Sequence, residues 1–208
     1  MVANMEGGER RSYTLGARAA QADERRARMV AAAVRLLHQR SFEEVTLQAV
    51  ADEAGVSLKT VVRHFGTKDE LVVACVHARS EEESALRATS PGDVAAAVRV
   101  LAERYEALGA MTLELVAIEG RFPAVAAALA HARRQHLAWL AAVFAPWLPR
   151  RASRERTRRL AQLFGATEIV VWHSWRTHLG LEPRDAEAAL ASTLAALCAS
   201  WGERGGDR

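Results

Sequence analysis

The spacing of the apolar residues restricts this chain to a helical fold. Apolar side chains recur every three or four residues along almost the whole sequence, and the alternating Val, Ile and Thr runs typical of strands are scarce. The 208 residues include only 13 Gly and 5 Pro, so few positions interrupt a helix. We therefore predict an all-α protein of about nine helices.

Composition and charge exclude several other classes of protein. Half of the residues are hydrophobic and the net charge is only +3, which is typical of a globular chain rather than a disordered one. The longest apolar stretch, residues 188–201, is too short for a membrane span, and the charged residues 1–22 do not form a secretory signal. We expect a cytoplasmic protein. The isolated Cys75 and Cys198 favour buried free thiols over a disulfide framework or a metal site, and we expect no cofactor.

Capping residues predict where several helices begin. Thr67 and Glu70 form a capping box, and Pro91, Pro123 and Pro183 are each expected at the first position of a helix. The predicted helices cover residues 24–40, 47–54 and 58–65, a stretch from 68, a stretch from 91, a stretch from 123 to near 146, and then 153–178 and 184–201.

Residues 46–65 have the elements of a helix-turn-helix. Gly55 can adopt the left-handed conformation that ends the first helix, and Ser57 can cap the second. Val61 and Phe65 lie four apart and are expected to face inward. The opposite face then carries Lys59, Thr60, Arg63 and His64. Such a helix fits the major groove, where these side chains meet base edges, so the motif predicts double-stranded DNA as a partner.

The same stretch resembles the TetR family of transcriptional regulators, whose amino-terminal pattern is close to T-x-x-x-I-A-x-x-A-G-V-S-x-x-x-[LV]-Y-x-[YH]-F-x-x-K-x-x-L. The matching residues are Thr46, Val50, Ala51, Ala54, Gly55, Val56, Ser57, His64, Phe65, Lys68 and Leu71. The match covers about residues 24–75. Val62 departs from the pattern, because the family usually has a Tyr there that touches the DNA backbone, and Lys59 replaces a frequent Gly.

The resemblance implies a role for each polar residue of the motif. Phosphate contacts are implied for Thr46, His64 and Lys68, and base contacts for the exposed start of the second helix. The full predicted DNA-binding set is Thr46, Ser57, Leu58, Lys59, Thr60, Val62, Arg63, His64 and Lys68. Lys59 and Lys68 are the two lysines of the chain, and both fall in this motif.

The resemblance also implies a homodimeric repressor that reads a palindromic operator and leaves it when an unidentified small molecule binds. The expected domains are a flexible basic arm over residues 1–22, a helix-turn-helix domain over 23–70, and a ligand-binding and dimerisation domain over 71–208. The arm, which includes Arg10, Arg11 and Arg18, either lies along the minor groove or is a solvated tail. A second basic run, residues 150–159, is expected to miss the DNA.

The carboxy-terminal domain offers candidates for both implied sites. The ligand-binding candidates are the large side chains of the middle helices, Met111, Leu115, Phe122, Trp139, Phe144, Phe164 and Glu168. The helix expected over residues 153–178 is apolar on two faces. It either pairs with the last helix in an isologous dimer interface or is buried inside one subunit. The predicted interface residues are Leu160, Ile169, Trp172, Trp175, Arg176, Leu190, Leu194, Leu197 and Trp201.

Two other classes of function compete with this hypothesis. The histidine pairs 131/136 and 173/178 are spaced five apart, which does not place both rings on one helix face for a metal ion, and no nucleotide-binding or hydrolase motif occurs. We therefore predict that the chain is not an enzyme. The alternative is a helical adaptor that uses the same fold to bind protein, and only a DNA binder would show a steep salt dependence.

Overall fold

The computed structural model describes the backbone of residues 6–86 and 89–202, and the side chains of residues 20–78 and 89–202. Over these residues the chain is all-α, with nine α-helices and no strand, which confirms the predicted fold class. The helices are α1 Glu6–Gln39, α2 Leu47–Ala54, α3 Leu58–Phe65, α4 Lys68–Leu86, α5 Val94–Ile118, α6 Pro123–Val143, α7 Arg154–Ala166, α8 Ile169–His173 and α9 Pro183–Trp201.

The chain divides into two compact units, the first ending at Cys75 and the second beginning at Val76, within α4. In the first unit α1 packs against α2, and α2 packs against α3. The apolar side chains that this arrangement buries include Met29, Val30, Leu36, Leu37, Phe42, Val50, Val61, Phe65 and Leu71. The unit therefore has a hydrophobic core of its own beneath the predicted helix-turn-helix.

The first helix begins earlier than the sequence predicts. It starts at Glu6, not near Glu24, so the backbone of residues 6–22 is helical where we expected a flexible arm. The physical reason is that residues 6–23 contain no proline and are rich in Ala, Arg and Glu, which favour helix. Residues 1–5 and the arginine side chains of the predicted arm lie outside the described residues.

The start of α4 shows the predicted capping box. The Thr67 hydroxyl accepts a hydrogen bond from the Glu70 backbone N–H at 3.2 Å, and the Glu70 carboxylate accepts one from the Thr67 N–H at 3.1 Å. These reciprocal bonds satisfy two backbone donors that a helix end otherwise leaves open. The sequence prediction is confirmed at this helix start.

The second unit is built around α5, which packs against α6, α8 and α9, while α7 packs against α6 and α9. Its core consists of large apolar side chains from all of these helices. They include Leu101, Leu140, Val143, Phe144, Leu148, Leu163, Trp172, Leu190 and Leu194.

Two of the three predicted proline starts are confirmed. Pro123 and Pro183 occupy the first turns of α6 and α9, but Pro91 does not begin a helix. Gly92 has φ of +90°, which interrupts any helix at that point, and its N–H donates to the Val143 carbonyl at 2.7 Å. Asp93 caps α5 instead, because its carboxylate accepts from the Ala96 N–H at 2.9 Å.

The single helix predicted over residues 153–178 is wrong. α7 ends at Ala166, Glu168 has extended backbone angles, and α8 begins at Ile169 and continues into a π-helical turn, Ser174–His178. The break has a tertiary cause, because the Tyr105 hydroxyl donates to the Thr167 carbonyl oxygen. No intrahelical N–H is needed to satisfy that oxygen.

Both cysteines are buried free thiols, as expected from their isolation in the sequence. Burial raises the pKa of Cys75, in the first unit, to about 12 and that of Cys198, in the second, to about 11.

Candidate nucleic-acid interface and internal cavity

The turn between α2 and α3 has the geometry that a helix-turn-helix requires. Gly55 adopts the predicted left-handed conformation, with φ of 66°. Its N–H donates to the Asp52 carbonyl at 3.3 Å, and the Val56 N–H donates to the Ala51 carbonyl at 2.9 Å. This pair of bonds is a Schellman motif, which ends α2 and directs the chain into α3.

Ser57 and two apolar side chains fix the position of α3. The Ser57 hydroxyl accepts from the Thr60 N–H at 3.2 Å and lies 2.9 Å from the Thr60 hydroxyl. Val61 and Phe65 are buried, as predicted, beside the equally buried Val50. The inner face of α3 is thereby held against the core of the first unit.

The outer face of α3 combines cationic and apolar side chains. Lys59 and Arg63 are exposed, and they alternate with Leu58 and Val62, which are 39% and 43% exposed. A surface of this composition can meet guanine acceptors and thymine methyl groups in a major groove.

The remaining predicted DNA-binding residues lie around this face, and several already bond within the unit. Thr46 is exposed, and its hydroxyl accepts from the Ala49 N–H at 3.1 Å to cap α2. Thr60 and His64 are half-buried at the edge of the outer face of α3.

Lys68 makes two contacts within the first unit that its position in the sequence does not indicate. Its ammonium lies 4.1 Å from the centre of the Phe42 ring and donates to the Glu43 carbonyl at 3.3 Å. Partial burial lowers the pKa of this ammonium, against the raising effect of the nearby Glu43 and Asp69. Lys68 therefore links the start of α4 to the loop between α1 and α2, and its side chain is only half-buried.

The second unit contains a partly open cavity of about 80 Å³ between α5, α6 and the α7–α8 junction. Gly109 permits this close packing, because a Cβ at its position would lie 3.3 Å from the Ile169 side chain. The cavity is lined by Arg104, Tyr105, Leu108, Gly109, Thr112, Val116, Leu129, Ala132, Arg133, His136, Phe164, Glu168 and Ile169.

Hydrogen bonds to Thr167 hold the cavity wall at the helix break. The Thr167 hydroxyl donates to the Leu163 carbonyl at 2.8 Å and lies 2.8 Å from His136 Nε2. The Tyr105 hydroxyl bonds the Thr167 carbonyl, so α5 and α6 both fix the junction that precedes α8.

Two carboxylates near the cavity have opposite environments. Glu119 accepts two hydrogen bonds from the terminal nitrogens of Arg133, at 2.6 and 2.8 Å, and these bonds lower the pKa of Glu119 and raise that of Arg133. Glu168 is about half-buried, and burial raises its pKa despite the opposing charge of Arg133. The cavity thus contains one carboxyl group whose charge is poorly compensated.

The sequence located only part of this cavity. Phe164 and Glu168 line it, whereas the other five ligand-binding candidates, Met111, Leu115, Phe122, Trp139 and Phe144, do not. Phe144 is fully buried in the core and Trp139 packs against that core. A missed signal was His136, a polar residue that interrupts the apolar stripe of Leu129 and Leu140 on α6.

Four of the predicted dimer-interface residues are wrong, because the chain buries them in its own core: Ile169, Trp172, Leu190 and Leu194. Trp172 and Arg176 also both donate to Glu106 on α5, at 2.9 Å. The break before α8 is the reason, since it turns that helix onto α5. Leu160, Trp175, Leu197 and Trp201 remain partly exposed.

Across the portion of the chain that the structure describes, no helix is long and apolar enough to cross a membrane. The same residues include no cluster of His, Cys, Asp or Glu that could hold a metal ion.

Comparison with known proteins agrees with this geometry. Residues 29–75 match the profile of the bacterial regulatory proteins of the tetR family. A tetR-family transcriptional regulator from Streptomyces coelicolor aligns over 86% of this chain and 84% of its own, with 18% identity and a TM-score of 0.68. Salmonella enterica GusR aligns over 85% and 96%, with 20% identity and a TM-score of 0.67.

A third similar structure is that of the multidrug binding protein EbrR complexed with proflavin. It covers 81% of this chain and 99% of its own, with 24% identity and a TM-score of 0.55. No curated protein matches the sequence significantly.

Proposed function

Because the amino-terminal domain of this chain is that of the TetR family of bacterial regulatory proteins, we propose that the chain is a transcriptional repressor released from its operator by a small molecule. The observation that carries this proposal is the outer face of α3. Lys59 and Arg63 project from it, while Val61 and Phe65 hold its inner face in the core. A short helix fixed in this way can enter a major groove and read base edges.

The residues around α3 divide into base and phosphate contacts. We assign base contacts to Leu58, Lys59, Thr60 and Arg63, with Val62 as an apolar neighbour. Phosphate contacts fall to Thr46, His64 and Lys68, supported by their places at the edge of the outer face or at helix starts. Ser57 acts by capping α3. Phosphate contacts fix the register of the helix and give salt-dependent affinity, whereas base contacts give specificity.

The short length of α3, the helix proposed to contact the bases, favours a homodimer. One helix reads a short half-site, and two copies separated by about 34 Å read a palindromic operator. In the described part of the second unit, the large apolar side chains left exposed are Val170 and Leu179, at 47% and 68%. Together with Leu160, Trp175, Leu197 and Trp201 they support an interface formed by α7, α8, α9 and the turn between α8 and α9.

The second unit then supplies the response to a ligand. We assign DNA binding to residues 23–70 and ligand binding with dimerisation to residues 71–208. The cavity between α5, α6 and α8 is the candidate effector site, supported by its mixture of apolar walls and a few polar groups. A ligand releases the operator only if it binds the conformation that cannot bind DNA more tightly than the conformation that can. The ratio of these two affinities sets how far the ligand lowers DNA binding.

The experiment is to capture genomic DNA fragments with the purified chain, sequence them, and measure binding of the selected duplex by fluorescence anisotropy. Lys59→Ala and Arg63→Ala should each weaken binding by about 1–3 kcal/mol and relax preference at particular base pairs. Lys68→Ala should weaken binding to all duplexes about equally. Arg184→Ala is the matched control, because it removes one exposed positive charge from the start of α9.

Equal losses from Arg184→Ala and Arg63→Ala would contradict a reading role for α3. If the chain binds no duplex at low ionic strength, or binds without the steep salt dependence of phosphate contacts, the adaptor alternative replaces the repressor.

A further inference from the structure

Glu168 is the one acidic side chain that lines the cavity in the second unit. Among the described residues its carboxylate accepts no hydrogen bond, although it is about half-buried. The positive charge of Arg133 acts on this carboxylate, but both terminal nitrogens of that guanidinium donate to Glu119. The cavity therefore presents a carboxylate whose hydrogen-bonding capacity is open.

The side chains around Glu168 indicate which kind of ligand could bond to its carboxylate. Leu108, Val116 and Phe164 give the cavity apolar walls, and its volume is about 80 Å³. A desolvated carboxylate is stabilised most by a cation that also donates hydrogen bonds, because the charge and the bonds act together in a medium of low dielectric. A bare metal ion would leave the apolar walls unused.

We propose that the effector is a small organic amine, whose ammonium group donates to the Glu168 carboxylate and whose compact apolar body lies against Leu108, Val116 and Phe164. This inference rests on the proposed role of the cavity as the effector site. The volume favours a short aliphatic body, since a cavity of about 150 Å³ is the size that accommodates benzene.

The position of Glu168 connects such a ligand to the structure of the second unit. Glu168 directly follows Thr167 and immediately precedes α8, at the break that Tyr105 and His136 hold. An ammonium group bound to this carboxylate therefore contacts the junction that sets the direction of α8. The ligand site and the helix of the proposed dimer interface meet at one residue.

Arg104 and Arg133 also line the cavity and could bind a carboxylate ligand. The experiment must therefore distinguish an amine ligand from a carboxylate ligand. The probes are isobutylamine, isobutanol and isobutyrate, which share a branched body and differ in charge. Binding to the full-length chain at neutral pH is measured by ligand-observed NMR. We expect isobutylamine to bind at least about tenfold more tightly than isobutanol, and isobutyrate to bind more weakly than either.

Glu168→Gln keeps the shape of the side chain and removes its charge, so it should abolish the preference for the amine while leaving isobutanol binding unchanged. Glu103→Gln, at an exposed position of α5, is the matched control and should keep the preference. The proposal is overturned if isobutyrate binds best, if none of the probes binds, or if Glu168→Gln retains the preference. The three probes on the unmodified chain still test the proposal if that variant does not fold.

Operator binding separates this inference from the proposed function. If isobutylamine binds through Glu168 but operator affinity is unchanged, the ligand site stands and its effector role fails. If the chain binds operator DNA and isobutyrate releases it, the repressor stands and the amine assignment fails.

Discussion

The two units of this chain obtain their functional geometry in opposite ways. In the first, the bonds that place α3 are local: Gly55 to Asp52, Val56 to Ala51 and Thr60 to Ser57. In the second, the bonds that form the cavity wall are distant in sequence, because Tyr105 reaches Thr167 across 62 residues and His136 reaches it across 31. A motif can encode the first kind of site, whereas the second exists only once the helices have packed.

The largest expected effect tests whether α9 belongs to the core of its own unit. Leu194 is fully buried, so Leu194→Ala should lower the free energy of unfolding by about 2–5 kcal/mol, measured by urea denaturation. Arg184→Ala, at an exposed side chain of the same helix and outside the proposed interface, is the control, and it should change the free energy of unfolding by less than about 0.5 kcal/mol. If the Leu194 variant instead kept its stability and lost only self-association, the residue would return to the dimer interface.

The second prediction concerns the long-range bonds at the helix break. Thr167→Val preserves the shape of the side chain but removes the buried hydroxyl that bonds His136 Nε2, so the free energy of unfolding should fall by about 1–3 kcal/mol. Thr157→Val removes an exposed hydroxyl that bonds its own helix, and its cost should stay below about 0.5 kcal/mol. Thermal unfolding of both variants measures the difference. Equal losses would show that the break does not depend on its tertiary partners.

The smallest effect tests the local turn in the first unit. Gly55 has φ of 66° and open space where a Cβ would lie, so Gly55→Ala has only a backbone cost, of about 1 kcal/mol. Gly165 also has open space but lies within α7, so Gly165→Ala should stabilise the chain by about 0.5–1 kcal/mol. Urea denaturation should therefore show that Gly→Ala lowers the free energy of unfolding at position 55 and raises it at position 165. The same sign at both sites would contradict the left-handed turn.

The contrast between the units explains what the sequence could predict. The positions of α2 and α3, the caps at Ser57 and Thr67, and the inner and outer faces of α3 follow from spacing and local hydrogen bonds, and the structure confirms them. The start of α1 was missed, because no capping signal opposes its extension to Glu6.

The cavity and the interface could not be predicted in the same way. The periodicity of residues 153–178 is that of a continuous helix, and nothing local ends it at Ala166. The break depends on Tyr105 and His136, whose proximity to Thr167 is a property of the packed unit. Without the break, the periodicity places Ile169 and Trp172 in the dimer interface, whereas the structure places them in the core.

The burial of the two thiols has a consequence for oxidative stress. Peroxide attacks a cysteine as its thiolate, and sulfur groups whose pKa lies near 12 and 11 keep their protons at neutral pH. Because Cys75 and Cys198 are all the cysteines of the chain, neither unit carries a sulfur poised to become a sulfenic acid. Neither unit is therefore suited to sense peroxide through oxidation of its own thiol.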